Sequence, residues 1–407
     1  MMLMNVFDMG FGESILLKSD NTSLLVDCGS KTKRNVEFQV SSIRSNINKQ
    51  GSINFMLTHF HEDHFNCFES LVQGKRQYQA DVLYIPWINF NKGEVILFDI
   101  AVYLYLLYAK QDTDVSFLLK NQIYFILECV KADGFVYALK RNDCFEFSGR
   151  DMEVLWPKKI ELIEALNHRQ NKVQQITREI LDTLFPTKKK QDDFNSLKDD
   201  IESMLKAFYG LFEEKDNKIV IQLNETNRKK LEDWYIRQDE LLNEIDIKRE
   251  DILKDKKEDA QKWRKQLKEI FNDDINACSI VFRDKQKSNS SEYNLLMTGD
   301  ITKRVIEKYL YDSDFKNKRY KYMKCPHHGT CTHYTVCLPR CAHFIISNGP
   351  YKGYHAISDQ YFYHPCVRGI RYCTSAYCEI IQSGRSCREH NSDSCFHGSL
   401  SITIPEL

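Results

Sequence analysis

The segment that most narrows what this chain can be is Thr58-His59-Phe60-His61-Glu62-Asp63-His64. It directly follows Asn54-Phe55-Met56-Leu57, an apolar run with the length and composition of a short buried strand. Four donors, His59, His61, Asp63 and His64, therefore fall within six residues at a strand end. His59 and His61, two positions apart, can chelate one metal from a turn. Asp63 and His64 can offer an oxygen and a nitrogen to a second. Imidazole combined with carboxylate suits Zn, Mn or Fe rather than Ca. The competing reading, a chance polar loop, has to produce this spacing by accident just after an apolar strand.

Around that segment the chain alternates strand and helix patterns. Phe11 to Leu17 and Ser23 to Cys28 read as paired strands, 36–50 as a helix, 81–86 as a strand, 94–131 as mostly helix and 151–157 as a strand. At Pro157 the composition changes. From 158 to 274 acidic and basic residues interleave, and Gly and Pro nearly vanish. This stretch is expected to form several long charged helices that project from the rest. Strand patterns resume with Ala277 to Phe282 and Tyr293 to Thr298. The chain is thus expected to divide into 1–157, an inserted 158–274, and 275–407 with a Cys/His-rich tail.

His59-x-His61-x-Asp63-His64 resembles the signature of the metallo-β-lactamase superfamily. Gly10-Phe11-Gly12-Glu13-Ser14, Val26-Asp27-Cys28-Gly29, Thr298-Gly299-Asp300 and Pro326-His327-His328-Gly329-Thr330 follow in order. Together they resemble the branch containing the hydrolase domain of bacterial DNA-uptake competence proteins. The resemblance covers about 1–157 and 275–407. It implies an αββα sandwich, two mixed sheets face to face with helices outside and a large charged helical insertion. It also implies two divalent metal ions, with Zn preferred and Mn as the other choice.

Within that frame each later motif has its own chemistry. Asp300 follows an apolar run and a Gly, and a carboxylate there can bridge two cations; the plainer reading is a turn Asp that caps a helix. The resemblance implies that at least one of His327 and His328 is a ligand, and the residues leave open which. Asp27 is expected to steady the metal loop from behind. Asp63 and His355 are the expected catalytic pair, His355 as general acid to the leaving oxygen. The resemblance is incomplete at one point: the only His between the first motif and Asp300 is His168, which lies in the charged insertion. The first metal therefore has fewer protein ligands than many superfamily members supply.

Lys318, Arg319 and Lys321 interleave with Tyr just upstream of His327 and are expected to bind substrate phosphates. The Cys of the tail lack a paired-knuckle zinc spacing, so reduced, partly buried thiols are expected. Lys+Arg and Asp+Glu are both 57, which excludes a whole-molecule polycation. No secretory signal or spanning segment is legible, and the protein is expected in the cytoplasm without membrane contact. The sequence thus predicts a di-metal hydrolase: a phosphodiesterase or nuclease acting on nucleic acid through a metal-bridging hydroxide. Two alternatives stay open. One is a hydrolase of small esters, thioesters or phosphocholine-type groups, and the other is an interaction module that recruits protein partners through the insertion.

Overall fold

The computed structural model describes the whole chain except residues 1, 33–35, 48–50, 75, 89–95, 109–111, 286–291, 349–356, 359, 365–369, 374–399 and 405–407. His355 and several tail cysteines, Cys366, Cys378, Cys387 and Cys395, lie outside the described residues.

Two sheets face each other. The first contains β1 (Met2–Val6), β2 (Ile15–Lys18), β3 (Thr22–Val26), β4 (Ser52–Met56), β5 (Ala80–Pro86) and β6 (Val130–Leu139). The second contains β7 (Cys144–Phe147) and β8 (Arg150–Trp156). The inserted stretch supplies β9 (Glu213–Lys215) and β10 (Lys218–Gln222), and the last part supplies β11 (Val281–Asp284), β12 (Glu292–Met297), β13 (Arg319–Lys324), β14 (Arg340–Ile346), β15 (Ile370–Cys373) and β16 (Leu400–Ile404). The first sheet runs β16-β1-β2-β3-β4-β5-β6-β10-β9 and the second β15-β14-β13-β12-β11-β8-β7.

Strand periodicity explains why the sheets stack. Alternate residues point to opposite faces, so Leu17, Val26 and Met56 from one sheet meet Val154, Phe282, Leu295 and Met297 from the other. The intervening Leu16, Leu25, Phe55, Leu296 and Phe344 turn outward into a second apolar cluster that is shared with the helices. Sheets covered on both faces need runs of apolar residues, and β2 has one at Ile15, Leu16 and Leu17, β3 at Leu24, Leu25 and Val26, and β14 at Phe344, Ile345 and Ile346. Each fully buried Leu, Phe or Met side chain contributes about 1.5–3 kcal/mol. The architecture is the expected αββα sandwich.

Residues 158–274, expected to form long charged helices that project from the rest, also pack against it. They form helices Lys159–Leu166, Gln170–Leu184, Lys188–Tyr209, Glu225–Leu253 and Lys257–Ala277, with the β9–β10 hairpin in the middle. β10 lies antiparallel on β6, with Val220 opposite Tyr137. The helices carry their charges on the outside and keep a narrow apolar stripe inside: Val173, Ile176, Ile180 and Leu184 are the buried residues of the second helix. The Lys257–Ala277 helix packs on helix Ile96–Tyr108, where Trp263, Leu267 and Phe271 join Leu97 and Leu104 in one core. The stripe was masked in the sequence by the charges interleaved with it.

β3, β4 and β5 run parallel, as do β12, β13, β14 and β15. The metal-motif segments all follow the C-terminal ends of these strands. In open α/β sheets this is where functional loops gather.

Candidate metal centre

β4 leads through Thr58 to His59, and His61 precedes the short helix Glu62–Phe65, which carries Asp63 and His64. From the second sheet, β12 leads to Asp300, β13 to His327 and His328, and β14 to Ser347. Two backbone features let these loops meet. Gly29 lies so close to the motif that an added Cβ would fall 2.4 Å from the carbonyl carbon of Asp63 and from the amide nitrogen of His64. Gly299 has φ of +52°, a left-handed turn that a β-carbon disfavours. Asp27, His327 and His328 also have positive φ. Such residues cost about 1–3 kcal/mol each and persist where the surroundings hold them. Here Asp27 accepts the Thr58 amide, and Asn348 donates to the His328 carbonyl.

The donors converge. Two atoms bound to one tetrahedral zinc lie about 3.3 Å apart. His59 Nε2 and His61 Nδ1 are 3.1 Å apart. His64 Nε2 is 3.2 Å from Asp300 Oδ2. His328 Nε2 is 3.3 Å from both Asp63 Oδ2 and Asp300 Oδ2. Asp300 Oδ2 is 4.0 Å from His59 Nε2, so this one oxygen stands between the two groups. The buried His59–His64–Asp300, Asp63–His64–His328 and Glu13–Asp300–His328 triples could hold metal ions. His61 Nε2 and His328 Nε2 are buried and make no hydrogen bond among the described residues, as expected of nitrogens kept for another partner. The residues fit a metal centre, with His64, Asp300 and His328 each belonging to more than one donor triple.

Outer contacts orient the imidazoles. His64 Nδ1 lies 2.9 Å from Asp27 Oδ2, His59 Nδ1 lies 3.1 Å from Thr58 Oγ1, and His328 Nδ1 lies 2.9 Å from the Ser347 carbonyl. A proton on each of these nitrogens leaves the opposite one free to ligate, save at His61. Burial opposes charge on His64, but the carboxylates of Asp300 and Asp27 outweigh it and hold this imidazole well above its ordinary range. Burial drives His59 well below that range and His61 down to about 4, so both present neutral rings. Asp63 and Asp300 are held well below the carboxylate range despite burial. Lys31 is the leading counter-charge on Asp63, and His328 and Lys324 lead on Asp300.

Of the two adjacent histidines, His328 enters the donor group. His327 turns to the rim, its Nδ1 2.7 Å from Thr330 Oγ1, its Nε2 3.8 Å from Asp300 Oδ2, and its ring 4.0 Å from that of His333. His168 stands apart on the short turn Asn167–Arg169, where its Nδ1 contacts the Ala165 carbonyl.

The basic run divides. Lys324 is fully buried, 2.6 Å from Glu13 Oε2, 3.0 Å from Asp300 Oδ1 and 2.8 Å from the Gly299 carbonyl. Lys318, Arg319 and Lys321 are not brought to the donors. Arg319 opens β13 and Lys324 closes it, about 16 Å of strand apart. Lys318 and Arg319 lie by Tyr293 and Glu292 instead. Closeness in sequence does not bring these cations to the donors, because an extended strand carries its two ends far apart.

Sequence reasoning passed over Glu13, Lys31 and His333. Glu13 had a visible signal, a carboxylate between small residues in an apolar strand opening, which needs a buried cation. Lys31 lies 2.9 Å from Asp63 Oδ1. Of the tail thiols within the described residues, Cys325 and Cys341 are buried, Cys337 is half-buried and Cys331 is exposed.

No protein-family profile and no curated protein matches this sequence. Among solved structures, the metallo-beta-lactamase fold protein YhfI from Bacillus subtilis is 18% identical, with a TM-score of 0.22 over 37% of this chain and 52% of that one. A protein of unknown function from Enterococcus faecalis V583 is 11% identical, with a TM-score of 0.19 over 38% of this chain and 37% of that one. The chain thus spans about half of YhfI and less of the second protein. No described helix is long and apolar enough to cross a membrane.

Proposed function

We propose that the chain is a metal-dependent hydrolase of phosphodiesters, with nucleic acid as the expected substrate class and zinc or manganese as the resident metal. One observation carries the reading: Asp300 Oδ2 stands between two donor groups whose internal spacings, 3.1–3.3 Å, suit tetrahedral ligation. Metal ions bound there would supply a hydroxide at neutral pH and neutralise charge on the reacting phosphoryl oxygens. The chain does the rest. Asp27, Thr58 and Ser347 fix the tautomers of His64, His59 and His328. Lys324 neutralises Asp300 Oδ1 and leaves Oδ2 facing the imidazoles. His327, at the rim, would take a proton from the attacking water and return one to the leaving oxygen; the general-acid half of that role was expected of His355, which lies outside the described residues.

The resemblance to the competence-protein hydrolase domain supports a nucleic-acid strand as substrate, and residence in the cytoplasm belongs to the same reading. A second reading, hydrolysis of small esters or diesters, is favoured by the distance of Lys318, Arg319 and Lys321 from the donors. The test is a hydrolysis screen of single-stranded nucleic acids and small phosphodiesters with Mn and Zn. Turnover lost in Asp63→Ala supports the reading. Metal-loaded protein that cleaves no phosphodiester sinks it, and cleavage of small diesters alone selects the second reading.

A further inference from the structure

Among the described residues, two ammonium groups touch the donor carboxylates, and they differ in what they have to spare. Lys324, on Asp300, is fully buried, and its three hydrogens are taken up by Glu13 Oε2, Asp300 Oδ1 and the Gly299 carbonyl. It has nothing left for a ligand. Lys31 lies 2.9 Å from Asp63 Oδ1, and its side chain is 40% exposed. One of its hydrogens can serve Asp63, which leaves two for solvent or a ligand.

The ammonium of Lys31 stands beside the metal-facing atoms. The other oxygen of Asp63 is the one 3.3 Å from His328 Nε2, so a single carboxylate separates Lys31 from that nitrogen. An aromatic ring makes a second link. Lys31 Nζ is 5.5 Å from the centre of the Phe11 ring, and that ring packs at 5.0 Å on the imidazole of His328. The backbone that carries Lys31 is braced. Its amide donates to the Phe11 carbonyl at 2.7 Å, the Phe11 amide donates to Thr32 Oγ1 at 2.9 Å, and the Gly29 amide donates to the Glu13 carbonyl at 3.1 Å. Burial opposes the charge on Lys31, but Asp63, Asp114 and Asp300 outweigh it and hold the group above its ordinary range. A cation that protein surrounds and solvent still reaches lies in a cleft.

We propose that Lys31 is a substrate-binding residue: its ammonium takes an anionic phosphoryl oxygen beside the metals and so selects phosphoesters over uncharged esters. The assignment rests on the metal-dependent hydrolase reading above. Metal ions on Asp63 and Asp300 would draw the charge of those carboxylates away from Lys31 and free its hydrogens for an incoming anion. A phosphodiester is an anion at neutral pH and a carboxylic ester is not, so this one contact separates the two substrate classes. It also serves the reacting phosphate without Lys318, Arg319 and Lys321.

The test is binding of inorganic phosphate to the zinc-loaded full chain, followed by calorimetry. Zinc affinity is measured against a competing chelator, and circular dichroism checks folding. Lys31→Gln should weaken phosphate binding about 10–100-fold, the usual size of a hydrogen bond to a charged group, and Lys31→Arg should restore most of it. Zinc affinity of Lys31→Gln should hold or rise, because a cation beside a metal site repels the metal. Loss of zinc and phosphate together overturns the assignment, since Lys31 would then merely steady Asp63. Unchanged phosphate binding in Lys31→Gln overturns it as well, while zinc uptake and diester cleavage by wild type keep the hydrolase reading. If Lys31→Gln does not fold, wild type carries the test. Phosphate should then shield Lys31 from acetylation by an amine-selective reagent, read by mass spectrometry, and equal labelling with and without phosphate overturns the assignment. A wild-type protein that binds no zinc overturns both.

Discussion

The indole N–H of Trp156 donates to the carbonyl of Ala277 at 2.7 Å, so a residue just ahead of the inserted stretch is fastened to the last residue of the helix that closes it. Val281 then pairs with Trp156 across β11 and β8. A short linker could therefore span the gap left by removing 158–274. The packing predicts that the product will not behave as an intact sandwich, because Leu97 and Leu104 would lose Trp263, Leu267 and Phe271 from the shared core. Size-exclusion chromatography and binding of a hydrophobic dye should show self-association and exposed apolar surface. A monodisperse product with wild-type Tm would mean that the segment is autonomous.

Gly29→Ala should damage the centre from behind. The new methyl group would overlap backbone atoms of Asp63 and His64, which have no flexible end to swing away. The expected loss is about 1–3 kcal/mol of stability, as in other overpacked sites, together with weaker metal binding. Urea unfolding and elemental analysis check the two parts. Full metal content in the variant would place the loop further from Gly29 than it is here.

Asp300→Ala and Asp63→Ala should differ in metal count. The oxygen of Asp300 that faces His64 and His328 also faces His59, so removing it should deplete both positions. Asp63 shares a donor triple with His64 and His328 and none with His59, so its loss should deplete the second position and spare the first. Equal depletion by both changes, measured after dialysis against limiting zinc, would contradict the arrangement.

Cations of one basic run should separate by place. Lys324→Met would leave the Glu13 and Asp300 carboxylates buried without their ammonium, a loss of about 3–5 kcal/mol. The double change Lys318→Glu and Arg319→Glu, at the far end of β13, should leave both stability and metal content within error. If it instead weakens single-strand binding while small diesters are still cleaved, a long nucleic acid reaches from the metals to the strand opening, and the nuclease reading gains.

Acid should destabilise the metal-free protein through imidazoles that are buried in the neutral form. Burial, the leading cause in both cases, lowers His61 and His333 to about 4, against an unfolded value near 6.5. Between those values the unfolded chain binds protons that the folded chain refuses. Stability therefore falls as pH drops from about 6.5 to about 4, by up to about 3 kcal/mol for each ring. His64 runs the other way, because its raised value adds stability below about 6.5 that is lost as pH rises through it. Urea midpoints of metal-free protein from pH 7.5 to pH 4 should decline. A flat profile would mean that the rings are solvated.

The strand that feeds His59, the apolar alternation of β2 and β3 and the motif residues were legible because their patterns are local. β6 was not, since its opening adjoined a long helical pattern and was absorbed into it. The β9–β10 hairpin hid for a similar reason: Glu213-Glu214-Lys215 reads as one more charged stretch, and only its pairing with β10 makes it a strand. The division of labour between His327 and His328 needed three dimensions, because both sit in the same left-handed turn.

The order of strands at one end of the first sheet also governs how copies of this chain meet each other. β6 is ten residues long, and with nothing beside it, it would offer a ladder of unpaired amides and carbonyls to any neighbouring strand. β10 takes up that ladder, and beyond it the last strand is β9, three exposed and charged residues. A second molecule arriving at this border finds like charge and too little length to grip. At this edge, strand-to-strand association is thus opposed by a short charged hairpin outside the metal motifs.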